Sequence, residues 1–106
     1  MKIVNRGYIV VHPKQNYIDW ANQFEEEFLM DEFSEPTIYL IEDDFFEDEQ
    51  VLKANFKKIF NNELIAVTED ESTYPEITLE NFDAWFSYVL GTTVFDTQKT
   101  DLKAEK

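Results

Sequence analysis

The stretch Gly7-Tyr8-Ile9-Val10-Val11-His12-Pro13-Lys14-Gln15-Asn16-Tyr17-Ile18-Asp19-Trp20 decides the fold. Its first half is aromatic and β-branched, apolar at odd and even positions alike. A strand with that pattern lies in the middle of a sheet or is covered on both sides. His12-Pro13 closes the run, because proline brings no N–H to a ladder. Proline also suits a first helical turn. Beyond Lys14, Tyr17, Trp20, Ala21, Phe24 and Phe28 fall at i, i+3, i+4, i+7 and i+11, one face of a helix. The stretch therefore reads as a central strand over residues 3–11 that runs straight into a helix.

Outward from this unit, Ser34-Glu35-Pro36 marks a turn and Thr37–Ile41 a second strand. A second helix is expected over about residues 47–61, with Leu52, Phe56, Ile59 and Phe60 on one face and Asn61-Asn62 as its end. Leu64–Thr68 reads as a third strand, followed by a loop over residues 69–76. Thr78 is a suitable N-cap for a third helix carrying Leu79, Phe82, Phe86, Val89 and Leu90, with Gly91 at the C′ position. Thr92–Phe95 reads as a short fourth strand, and residues 97–106 as a polar, disordered tail. The expected order is β-α-β-α-β-α-β. That is a single α+β domain over residues 1–96, a four-stranded sheet packed with three helices, ferredoxin-like with an extra helix. The alternative is a small mixed α/β sheet with helices on both faces.

The chain has 106 residues, of which 43% are apolar and 16% aromatic, enough for one packed core and unlike a disordered composition. It has no cysteine, so disulfides, thiolate metal sites and a cysteine nucleophile are excluded. The apolar run near the N-terminus is too short for a signal segment or a membrane span. The expectation is a soluble, cytoplasmic protein. The net charge is −14. Thirteen acids and no base lie between Lys14 and Lys53, and eight acids and no base between Lys58 and Lys99. Such a field repels nucleic-acid phosphate and anionic lipid, and favours a basic protein surface.

Catalytic constellations are scarce. His12 is the single histidine. It can be read as a base or ligand beside carboxylates, but a strand-end residue is the ordinary reading. Two glycines, Gly7 and Gly91, leave no room for a phosphate loop, a dinucleotide fingerprint or a nucleophile elbow. The run Glu42-Asp43-Asp44-Phe45-Phe46-Glu47-Asp48-Glu49 lacks the ligand spacing and glycine of a calcium loop and reads as an acidic helix start. Its two phenylalanines form either a hydrophobic staple or a docking knob. Tyr74, Trp85 and Tyr88 fit the expected core least well. The expected partner-binding residues are Glu42, Asp43, Asp44, Phe45, Phe46, Glu47, Asp48, Tyr74 and Trp85. No catalytic residue, metal ligand or cofactor is expected.

The segment from Gly7 to Gln15 with Asp19-Trp20, then Phe60-Asn61-Asn62-Glu63-Leu64, Asp70-Glu71-Ser72-Thr73-Tyr74-Pro75, Phe82 and Trp85-Phe86, resembles a group of small acidic, uncharacterised bacterial proteins. In that group tryptophan is frequent at the tyrosine position and a histidine precedes the last strand. Here the latter region is Leu90-Gly91-Thr92-Thr93. The resemblance implies a bacterial cytoplasmic protein and carries no activity with it.

The leading expectation is a non-enzymatic module that binds a basic protein partner, as a monomer or homodimer. Two alternatives stay open. One is a DNA mimic that inhibits a DNA-binding protein. The other is a small enzyme or metal-binding protein using His12 and nearby carboxylates.

Overall fold

The computed structural model describes residues 1–24, 31 and 34–105. Its elements are β1 (Lys2–Val4), β2 (Gly7–Pro13), α1 (Gln15–Ala21), β3 (Thr37–Ile41), α2 (Asp48–Ile65), α3 (Leu79–Trp85), β4 (Phe86–Gly91) and β5 (Val94–Asp96), with a 3₁₀ turn at Glu71–Thr73. β2 is the centre of a three-stranded antiparallel sheet of order β3-β2-β4, and β1 and β5 form a separate antiparallel ribbon. The described residues thus form a mixed α+β fold with two small sheets.

On the inner face of the larger sheet, Ile9, Val11, Ile41 and Phe86 are buried. They pack beneath Tyr17, Trp20 and Ala21 of α1, Phe56, Phe60 and Leu64 of α2, and Phe82 of α3. Rings do much of the filling: Phe60 lies edge-on to Phe86 at 5.6 Å, and Phe82 packs on Phe86 at 5.2 Å. The outer face differs. His12, Ile38, Leu40, Ser87 and Val89 are exposed, while Tyr8 and Val10 are partly buried and share a hollow with Thr93 and Val94. β2 is central, as its sequence implies, but no helix of the described residues covers its second face.

Several expectations are corrected. The expected single four-stranded sheet is two sheets, so the ferredoxin-like pairing is absent among the described residues. Nor, among the described residues, do helices lie on both faces. The run read as one strand over residues 3–11 breaks at Asn5-Arg6 into β1 and β2, and β2 continues through Pro13. The expected third strand, Leu64–Thr68, begins as the last turn of α2, which passes through Asn61-Asn62 without ending. Leu64 continues the buried face of Phe56 and Phe60, and a short apolar run cannot by itself distinguish a strand from a buried helix end. The third helix does start at Thr78, whose hydroxyl accepts from the Asn81 N–H. It stops at Trp85, and Phe86–Gly91 is strand. Phe86, Tyr88 and Leu90 alternate with Ser87 and Val89 across the sheet. Gly91 is therefore a strand residue under the Tyr8 ring and not a helix cap. The expected last strand, Thr92–Phe95, is displaced to β5 and pairs with β1 outside the main sheet. α1 is short, and Phe28 lies outside the described residues.

One backbone contact fixes the hydrogen-bond phase on β4. The Lys14 N–H donates to the Trp85 carbonyl at 2.8 Å. The same register pairs His12 with Ser87, Val10 with Val89 and Tyr8 with Gly91. In an antiparallel ladder bonded and non-bonded pairs alternate. These are then the bonded pairs, and Pro13, which has no N–H, falls on a non-bonded pair with Phe86. The main-chain groups of Tyr88 and Leu90 accordingly point away from β2.

Candidate functional site

The acidic run emerges as the β3–α2 connection and the first turn of α2. Glu42, Asp43, Asp44 and Glu47 are exposed. Phe45 and Phe46 part company. Phe45 folds inward against the core and sits close to Gly7. Phe46 is 98% exposed. Asp48 and Glu49 occupy the first turn of α2, where carboxylates meet the positive end of the helix.

Asp48 and Glu49 form one wall of a cleft of about 590 Å³, completed by Leu52, Leu79, Asp83, Tyr88, Val89 and Leu90. The floor is apolar and the three charged groups are all carboxylates. Glu49 is bridged to Lys53 at 3.0 Å. Asp83 accepts a hydrogen bond from the Tyr88 hydroxyl. Burial and that bond to Asp83 push the Tyr88 phenol up to about 12. Tyr88, Val89 and Leu90 are consecutive on one strand, so their side chains alternate between faces. A cleft that touches all three runs along the strand's edge, not over one face.

The other expected anchors lie in the packing. The Tyr74 hydroxyl donates to the Thr68 carbonyl at 2.6 Å, and its ring meets Trp20 edge-on. Trp85 packs among Tyr17, Trp20 and Phe60. Neither lines the acidic cleft. His12 is exposed on the outer sheet face opposite Ser87, away from that cleft. Among the described residues no cluster of three His, Asp or Glu is placed to hold a metal ion.

One group escaped the sequence reading. Glu63 is a buried carboxylate on α2, accepting hydrogen bonds from the Tyr39 hydroxyl at 2.7 Å and the Thr37 hydroxyl at 3.4 Å. The Asn62 amide in turn donates to Tyr39 at 3.0 Å, and the Tyr17 hydroxyl donates to the Glu63 carbonyl at 2.7 Å. Burial pushes the Glu63 carboxyl up, and the Tyr39 and Thr37 hydrogen bonds pull partly the other way. Its signal was available: with Phe56, Phe60 and Leu64 on the buried face, residue 63 belongs to the same stripe.

Comparison of the chain with protein-family models, with curated proteins and with solved structures returned no match. No helix of the described residues is long and apolar enough to cross a membrane.

Proposed function

We propose that this chain is a non-enzymatic interaction module whose acidic cleft receives a basic segment of a protein partner. The observation that carries the reading is the cleft of about 590 Å³ with an apolar floor of Leu52, Leu79 and Leu90 and the carboxylates of Asp48, Glu49 and Asp83 in its lining. Lysine and arginine have aliphatic stems and cationic heads, and this lining suits both parts. Phe46, two residues before Asp48 and fully in solvent, is a further apolar contact for the same partner. The net charge of −14 adds long-range attraction and fast association. The bacterial, cytoplasmic setting belongs to the same proposal and rests on the sequence resemblance.

Titration with an oligolysine at low and at higher salt tests this, against a variant carrying Asp48→Asn, Glu49→Gln and Asp83→Asn. Binding should weaken about tenfold or more on adding salt. The variant removes only three of 23 acids, so a general charge effect would leave most of the affinity in place. Affinity falling about tenfold in the variant supports the cleft. Unchanged affinity overturns it.

A further inference from the structure

We infer that the partner's basic segment binds in extended form, as an additional antiparallel strand on the outer edge of β4. This rests on the acidic cleft being the binding site and adds the manner of binding. Three observations meet there. Among the described residues β4 pairs with β2 alone. The Lys14–Trp85 hydrogen bond sets the ladder so that the N–H and C=O groups of Tyr88 and Leu90 face outward, and no described group pairs with them. Both residues line the acidic cleft, so the unpaired backbone groups open onto it. An unpaired strand edge is a template for another strand, and strand addition with pockets for alternate side chains is an established recognition mode.

The geometry also sets the pattern of the segment. Residues opposite Tyr88 and Leu90 would exchange both hydrogen bonds with them. They would turn their side chains to the helix side, over Leu52 and Leu79 and toward Asp48, Glu49 and Asp83. Those positions take lysine or arginine. The intervening residues would lie beside Val89, which is 58% exposed on the outer face, and take apolar side chains. The segment alternates basic and apolar residues.

The probe is acetyl-Val-Lys-Val-Lys-Val-amide, followed by amide NMR on the intact chain. In the free protein the Tyr88 and Leu90 amides should exchange with solvent quickly, and peptide should shift and protect them. Methylating both lysine backbone nitrogens removes the donors aimed at β4. Methylating the nitrogens of the third and fifth residues removes donors aimed away from it. The first peptide should bind about tenfold more weakly and the second like the parent. Equal affinity of the two methylated peptides, or slow exchange at Tyr88 and Leu90 before any peptide is added, overturns strand addition while leaving the acidic cleft standing. Failure of the parent peptide to bind at low salt, or undiminished binding to the triple cleft variant, removes the cleft and the inference together.

Discussion

At the scale of single residues, Glu63 and Tyr39 make the sharpest predictions. The folded protein holds the Glu63 proton more tightly than the unfolded chain, whose glutamate keeps its usual value of 4.5. Its contribution to stability is therefore fully present below that value and is lost as pH rises through the higher folded value. A glutamine stays neutral throughout. Glu63→Gln should gain on the natural protein as pH rises from the acid range toward neutrality, and urea unfolding of both proteins over that range checks it. Parallel curves would show that the carboxyl is not perturbed. Tyr39→Phe removes the phenol that donates to Glu63 and accepts from Asn62. It should cost about 1–3 kcal/mol at neutral pH, because a buried carboxylate oxygen loses its donor. A loss near zero would mean that water replaces the phenol without penalty.

At the scale of elements, the two glycines mark close approaches of strands and should differ in their tolerance of a methyl group. A Cβ on Gly7 would stand 2.8 Å from the carbonyl oxygens of both Glu42 and Gly91, and neither backbone can withdraw without disturbing the sheet. The atoms nearest a Cβ on Gly91 would all belong to the Tyr8 ring and its hydroxyl, a side chain that can swing. Gly7→Ala should cost about 2–3 kcal/mol and Gly91→Ala distinctly less; denaturant midpoints for the pair decide it, and the reverse order would contradict the packing. The same elements show how far the fold was readable. β2, β3 and the start of α3 each carry a strong local signal: β-branched runs for the strands, a threonine cap for the helix. The boundary between α3 and β4 does not. Phe82, Phe86, Val89 and Leu90 satisfy a helical spacing, while Phe86, Tyr88 and Leu90 satisfy a period of two just as well. Pairing with β2 decided between them, and that contact is not written in local periodicity. The cleft was legible only in part for the same reason. Asp48 was singled out from its own run, but Asp83 and Leu90 become its neighbours only once β4 is a strand.

On the scale of the whole molecule, charge is the governing quantity. Among the described residues the two ion pairs, Lys2–Asp101 and Lys53–Glu49, are solvent-exposed and contribute little. The chain's bases also gather unevenly: Lys2 reaches the carbonyls of Lys99 and Thr100, and Arg6 and Lys103 line one hollow beside the ribbon. With a net charge of −14, self-repulsion of the folded state dominates and salt should relieve it. The melting temperature should rise by several degrees between about 10 and 300 mM sodium chloride. A fall would mean that attractive pairs outweigh the repulsion.

The β1–β5 ribbon places Lys2 directly across from Asp96. In connectivity the domain is thus nearly a closed ring, held shut at that point by a short antiparallel clasp. A circular permutant, with a brief glycine-serine bridge from the end of β5 to the start of β1 and new ends opened between Asp43 and Asp44, would keep every strand neighbour of the original.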